Sequence, residues 1–235
     1  MNAPAKSVCL VIGAGPGNGA AFARRFAAAG HRLVLAARDV ASLATIAADL
    51  PDAHPCPYDA ADPASAAEIA QIESRLGRID TLVYNAGAAA FGSIEQISLD
   101  DFEQGWRVNA LGLAAAAKAV IPGMTGRRRG NIVVIGATAS LRGGANFAAF
   151  ASAKAAQRNL AQSLARHLGP QGVHVSHVVI DGVIDSPRTR ERFGERPEAS
   201  YLKADDIAEA VYGLTCQQPS AWTFELDLRP AAEKW

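Results

Sequence analysis

The segment GAGPGNGAA, residues 13–21, follows an apolar run and opens an alanine-rich one. Gly13, Gly17 and Gly19 fit the spacing GxxxGxG, whereas GxGxxG fails from Gly13 because its sixth position is Asn18. Glycines at a strand-to-helix turn let backbone N–H groups approach a pyrophosphate, and the helix N-terminus adds partial positive charge. Pro16 carries no N–H and stiffens the turn. The spacing predicts a nucleotide cradle built from Gly13, Gly15, Pro16, Gly17, Asn18 and Gly19.

A second segment bears on proton chemistry. In FAAFASAK, residues 147–154, Phe150 precedes Lys154 by four positions, so both side chains share one helix face. An ionisable hydroxyl at that distance from a lysine is an acid–base pair, because the ammonium charge lowers the hydroxyl's pKa. Phenylalanine can neither give nor take a proton.

After the second apolar run the chain reads LVLAARD, residues 33–39. An acidic side chain at the end of such a strand would bind the ribose hydroxyls of NAD. Ala37 fills that place, and Arg38 follows with a guanidinium suited to a 2′-phosphate. NADP is therefore expected, with NAD as the alternative. Asp39 either caps the next helix or shifts the register and binds a ribose.

These residues need a frame, and the chain supplies one by alternation. Short apolar runs at 7–13, 31–37, 53–59, 79–87, 131–137, 173–180 and 221–228 read as strands. Helical segments lie between them at 18–30, 39–50, 62–77, 98–121, 147–168 and 205–217. Gly30 reads as a C-cap and Asp39 as a helix start. Asp62 with Pro63, and Ser98 with Asp101, read as further helix starts. Residues 181–203 read as irregular. Strand–helix alternation implies parallel strands joined by right-handed crossovers. The expected fold is α/β, a single-domain Rossmann-type doubly wound parallel sheet of about seven strands over 1–235, with helices on both faces. Ligands of such sheets bind beyond the carboxyl ends of the strands.

Composition excludes several classes. Lys+Arg and Asp+Glu both number 23, so no global field draws nucleic acid or an anionic membrane. Arg127, Arg128 and Arg129, between two glycines, read as a solvated turn. Cys9, Cys56 and Cys216 are scattered, with neither a disulfide framework nor metal-ligand spacing. No run reaches the roughly 18 apolar residues of a membrane span. A reducing, cytoplasmic setting is expected, with no metal.

The order of motifs resembles the short-chain dehydrogenase/reductase family across most of the chain. The glycine loop resembles the family's GxxxGxG. YDAAD, residues 58–62, resembles the segment after the third strand, which implies Asp59 and Ala60 near the adenine. NAG matches the family's signature after the fourth strand, which implies Asn85, Ala86 and Gly87 at the cofactor. RVNALG, residues 107–112, resembles the segment bearing the active-site asparagine, here Asn109. ASAK resembles the end of YxxxK, so Lys154 is the family lysine, which also binds the nicotinamide ribose. IDGVIDSP, residues 180–187, resembles the PGxxxT loop at the nicotinamide, which implies Gly182 and Ile184, with Asp181 in place of the proline and Ser186 in place of the threonine.

The resemblance departs at two catalytic places: Phe150 stands where the family has tyrosine and Ala137 where it has serine. Lys154 and Asn109 remain. Thr138, one residue past Ala137, is a candidate substitute donor, and Ser140 lies three past it. Tyr84 is another hydroxyl, but strand alternation points it away from the cofactor. Arg142, beside Gly143 and Gly144, lies at the expected mouth. His174 and His177 read as structural. The resemblance implies an NAD(P)-dependent oxidoreductase of a small carbonyl, alcohol or related substrate, with a non-standard proton donor. It also implies a substrate loop at about 185–203 and a homodimer or homotetramer. Trp222, Phe224 and Leu226 alternate and are expected on one sheet face. Two other readings stay open: an NADP(H)-binding protein without turnover, and a non-redox enzyme on this fold.

Overall fold

Most of the strand runs are buried over nearly their whole length, as parallel sheets require, whereas 53–57 buries only Cys56. In the computed structural model, which describes residues 6–194 and 196–232, they are β1 (Val8–Ile12), β2 (Arg32–Ala37), β3 (Ala53–Pro57), β4 (Ile79–Tyr84), β5 (Gly130–Ile135) and β6 (Val173–Ile180). Two short strands follow, β7 (Val183–Ile184) and β8 (Tyr201–Leu202), and then β9 (Glu225–Leu228). Residues 1–5, Glu195 in the expected substrate loop and the C-terminal 233–235 lie outside the described residues.

The main sheet has seven strands in the order β3-β2-β1-β4-β5-β6-β9, and every pairing is parallel. The order reverses between β1 and β4, which opens a crevice at the carboxyl ends of those strands. Side chains alternate between two cores. Leu10 and Ile12 face the layer of α3 (Ala66–Leu76), α5 (Gly112–Arg127) and α6 (Ala148–Leu168). Cys9 and Val11 face the layer of α1 (Asn18–Ala28), α2 (Val40–Ala48) and α8 (Ala204–Thr215).

Local chemistry sets the helix ends. Asp39 caps α2, its carboxylate accepting from Ser42 N at 3.1 Å. Ser98 caps α4 (Leu99–Trp106), its Oγ accepting from Asp101 N at 3.0 Å. Asp62 caps a 3₁₀ turn, Pro63–Ser65, from which α3 then continues. Ala29 closes α1, and Gly30 is the residue just beyond it, at φ +84°.

The structure corrects four expectations. The helix expected over 98–121 runs on to Arg127, through a π-helical turn at Arg107–Leu111 that joins α4 to α5. That continuous run, Leu99–Arg127, is long and apolar enough by composition alone to cross a membrane, and its buried side lies on the sheet. Arg127 is not part of a solvated turn. It pairs with Glu73 at 3.1 Å and Asp80 at 3.7 Å and donates to the Ile79 carbonyl, tying α5 to α3 and β4. The stretch 181–203 is not irregular but holds β7, α7 (Pro187–Phe193) and β8, with β7 and β8 paired in parallel.

The fourth correction concerns the C-terminal strand. It begins at Glu225, after a 3₁₀ turn at Pro219–Ala221, so alternation does not extend back to Trp222. Phe224 packs with the α3–α5–α6 core and Leu226 with the opposite one. Trp222 stacks instead on His174, ring centroids 4.8 Å apart.

Candidate active site

The crevice at the β1/β4 switch is a cleft of about 920 Å³. The glycine loop forms one wall, with Gly13, Gly15, Pro16, Gly17 and Asn18 all lining it. Gly13 adopts φ +88°, and a Cβ there would meet Ala86 N at 2.5 Å. Only glycine lets the loop close on β4. Gly19 does not line the cleft; its place is behind the loop, where a Cβ would meet Ala14 Cα at 2.6 Å. A Cβ on Gly15 or Gly17 would meet nothing within 4 Å, so their backbones border open space.

The helix N-terminus in this cleft has no side-chain partner, although Ala20 N donates to the Gly15 carbonyl at 3.0 Å. Gly17 offers α1 no side-chain cap, and its first turn holds no acidic residue. Asn18 Oδ1 is buried with no hydrogen-bond partner. Open backbone and an uncapped helix start fit the pyrophosphate of a dinucleotide, and the orphaned Oδ1 is an acceptor suited to a hydroxyl of the same ligand.

Beyond β2, Ala37 and the exposed Arg38 line the cleft, while the Asp39 carboxylate is engaged as the α2 cap. Asp59 and Ala60 line it after β3, where Asp59 Oδ1 accepts from Ala61 N at 2.9 Å and fixes the turn. Asn85, Ala86 and Gly87 line it after β4, and Asn85 Nδ2 donates to the Gly13 carbonyl at 2.8 Å. Ile184 and Ser186 close the far side. Gly182 is not among the lining residues. It sits at φ +159° against Pro230, where a Cβ would approach Pro230 Cδ at 2.7 Å.

Lys154 and Asn109 meet behind Gly87. Lys154 is 6% exposed, and its Nζ donates to the Ile135 carbonyl at 2.8 Å and to Gln157 Oε1 at 2.9 Å. Burial pushes its pKa from the ordinary lysine value down to about 7. Asn109, fully buried on the π-helical turn, donates through Nδ2 to the carbonyls of Ala88 and Gly105. Its Oδ1 has no partner. A Cβ on Gly87 would lie 3.4 Å from Asn109 Oδ1 and 3.8 Å from Lys154 Nζ. The two polar ends therefore converge on Gly87, a lining residue with no side chain, while neither Lys154 nor Asn109 is itself among the lining residues.

The hydroxyls expected nearby are otherwise employed. Tyr84 is buried and donates to the Val108 carbonyl, and burial pushes its phenol well above the usual range. Thr138 donates to Asp181 Oδ1 at 2.5 Å, and Asp181 is in turn paired with Arg229 at 3.1 Å. Ser140 Oγ accepts from Ala137 N at 3.1 Å, closing a 3₁₀ turn. Phe150 packs with Phe91 and Phe147, centroids 5.4 and 6.4 Å away. Arg142 is exposed.

His174 and His177 are buried on β6. His177 Nδ1 meets Glu225 at 3.1 Å while its Nε2 has no partner. Burial holds this imidazole down to about 4, against the opposing pull of Glu225.

Several site residues carry no sequence signal. Gln157, fully buried, joins Lys154 to the Asn109 carbonyl, to which its Nε2 donates at 3.0 Å. Tyr58 lines the cleft, and its buried hydroxyl lacks a partner. Gln104 and Thr189 also line it. Gln157 lies three residues past Lys154, and that helical spacing is the one cue that could have found it.

A family model for short chain dehydrogenases matches residues 7–196. A curated relative, "Inactive 2-(S)-hydroxypropyl-CoM dehydrogenase 2" of Xanthobacter autotrophicus, is 35% identical over 209 residues, 82% of this chain and 90% of the relative. Meso-2,3-butanediol dehydrogenase of Serratia marcescens is 33% identical over 73% of this chain and 69% of its own length. Among solved structures, a metagenomic short-chain oxidoreductase in complex with NADP superposes with a TM-score of 0.81 at 30% identity, covering 96% of this chain and 97% of that one. An alcohol dehydrogenase from the archaeon Thermococcus sibiricus, complexed with 5-hydroxy-NADP, gives a TM-score of 0.87 at 28% identity over 97% and 98% of the two chains. With the family model matching residues 7–196 and a curated relative 35% identical over 82% of the chain, the protein belongs to the short chain dehydrogenase family.

Proposed function

We propose that this protein is an NADP(H)-dependent oxidoreductase that moves a hydride to or from a small carbonyl, alcohol or related substrate, with a proton donor other than tyrosine. One observation carries the reading. The cleft runs from a phosphate cradle at Gly13–Asn18 to Gly87, and Lys154 and Asn109 converge directly on Gly87, so one glycine joins the cofactor cleft to the proton machinery. When bound, the dinucleotide supplies the hydride. The open backbone at Gly15 and Gly17 would hold its pyrophosphate, Asn18 Oδ1 would accept from one of its hydroxyls, and Arg38 would hold its 2′-phosphate. NADP as the partner is supported by Arg38 at the cleft and by the NADP complex of the metagenomic relative.

Phe150 and Ala137 occupy the places of the family's tyrosine and serine in this reading. General acid catalysis is worth about 10²–10⁴-fold, whereas holding two reactants aligned is worth roughly 7–11 kcal/mol. A site that keeps alignment but changes its acid retains most of the catalytic effect. Asp185, Ser186 and Thr189, at the start of the expected substrate loop, form the substrate side of the cleft in this reading.

Fluorescence titration with NADPH and NADH, followed by stopped-flow hydride transfer across a panel of ketones and imines, tests the proposal. Tight NADPH binding with transfer to one panel member is expected. Binding without transfer to any member favours the second reading, a dinucleotide-binding protein without turnover, which the missing hydroxyls at Phe150 and Ala137 support. Absence of binding rejects both.

A further inference from the structure

Oxidoreduction of a carbonyl needs a proton at oxygen, and two of the candidate hydroxyls give theirs elsewhere. Thr138 gives its proton to Asp181 and Tyr84 gives its own to Val108, Ser140 Oγ serves as the acceptor for Ala137 N, and the unpartnered Tyr58 hydroxyl follows β3 with its pKa pushed up to about 12 by burial. Lys154 differs. An ammonium has three N–H donors, and the backbone of Ile135 and the amide of Gln157 take two of them. Asn109 Oδ1, buried without a partner, faces the same gap over Gly87. A donor and an orphaned acceptor thus flank one point on the cleft floor, the geometry of a slot for a water or a ligand hydroxyl.

We infer that Lys154 is itself the acid–base group of this site, reaching the substrate oxygen through a hydroxyl or water seated against Asn109 Oδ1, with Gln157 as the residue that positions it. The inference rests on the oxidoreductase reading. In the reducing direction an N–H bond of Lys154 breaks and an O–H bond forms on the carbonyl oxygen as the carbonyl carbon takes a hydride from the reduced dinucleotide. Lys154 is left as a neutral amine and regains its proton from solvent. Oxidation of the alcohol runs the same steps backwards, and the neutral amine is then the base.

The surroundings suit an amine that changes charge near neutrality. Among the described residues no carboxylate hydrogen-bonds Nζ; its partners are a carbonyl and an amide. His177 faces it from β6 and is kept neutral by burial. Glu225, behind His177, is neutralised by Arg158 at 2.5 Å. From the π-helical turn only Asn109 faces it, because Arg107 is paired with Glu103 at the surface. The turn Thr138–Ser140 carries no ionisable side chain, and the Asp181 carboxylate bonded to Thr138 is paired with Arg229. Uncompensated burial then brings the amine to about 7, where a group can both give and take a proton.

Gln157→Glu, of nearly the same shape, is the sharpest test, since it places a carboxylate on Nζ and must raise the lysine's pKa. Two readouts follow it. In the apo protein, ¹⁵N NMR of the lysine amines, assigned with Lys154→Arg, should show Lys154 titrating near pH 7 and moving up by about one unit or more in Gln157→Glu. In the loaded enzyme, kcat/KM for reduction should fall above about pH 7, and that limb should move up in step in Gln157→Glu. Lys154→Arg keeps a cation that does not deprotonate and should lower the rate by about 10²-fold or more, while NADPH still binds in the fluorescence assay.

An apo Lys154 that titrates above pH 9, or a pH limb that is unmoved in Gln157→Glu, overturns the role assigned to Lys154. Failure of hydride transfer with every panel substrate overturns the oxidoreductase reading and this inference with it. The NMR titration distinguishes the two failures, because it needs neither substrate nor cofactor.

Discussion

Asn85 Nδ2 donates to the carbonyl of Gly13 at 2.8 Å, across 72 residues of sequence. The bond latches the end of β4 to the glycine loop at the point where a Gly13 Cβ would already collide with Ala86 N. Asn85→Ala should leave that carbonyl without its partner, at a cost of about 1–3 kcal/mol. Urea denaturation checks the stability loss. A parallel NADPH titration should show about tenfold or greater weakening, because the latch shapes the phosphate cradle.

Arg38 is the cationic side chain on the cleft wall after β2, and Asp39 is committed to capping α2. Arg38→Ala should therefore weaken NADPH by roughly 10- to 100-fold, the worth of a charge-assisted contact of about 1.5–3 kcal/mol. NADH affinity should stay nearly constant. Equal losses for both dinucleotides would place Arg38 away from the 2′-phosphate.

Phe150→Tyr with Ala137→Ser places hydroxyls at the two positions where the proposed function sets this chain apart from the family pattern. The double variant should reduce general ketones at least about tenfold faster than the parent, within the range of general acid catalysis. Stopped-flow on the same ketone panel measures it. If no ketone gains, the site is not an ordinary carbonyl site lacking only those hydroxyls.

His177 is buried and neutral in the folded protein, held down to about 4, whereas in the unfolded chain it returns to its ordinary value of 6.5. Between those values the unfolded chain binds a proton that the folded one does not, so stability falls as pH falls from about 6.5 to 4. The loss is of order 3 kcal/mol. Urea midpoints at pH 7, 5.5 and 4.5 should show this slope in the wild type and a shallower one in His177→Asn.

Lys154 gives the opposite end of the pH scale. Its folded pKa of about 7 lies below the ordinary 10.5, so the unfolded chain binds the extra proton between them and stability rises with pH across that window. Lys154→Met removes the titration and should flatten the rise. A midpoint series from pH 7 to 9.5 on both proteins, with refolding checked, reads the difference directly.

Much of the cofactor half was legible because its signals are local. The glycine spacing, the Asp39 and Ser98 caps and the short buried runs each depend on a few adjacent residues. Strand–helix alternation then leaves few topologies. Helix limits were less legible. Arg127 continues α5 because Glu73, Asp80 and the Ile79 carbonyl, far off in sequence, receive its guanidinium. The Trp222–Phe224–Leu226 alternation failed for a related reason: only where the chain docks beside β6 does it become a strand.

By itself the sequence determined the α/β order, the phosphate loop and the absence of a hydroxyl at Phe150 and Ala137, since residue type and spacing suffice for those. Tertiary structure alone decided which groups are free to act. It sent the Thr138 proton to Asp181, packed Gly182 on Pro230 and left Asn109 Oδ1 unpartnered opposite Lys154. It also drew Gln157 onto the lysine and buried both. Hydrogen-bond allegiance and desolvation depend on groups that meet only when distant segments pack, and no local pattern encodes them.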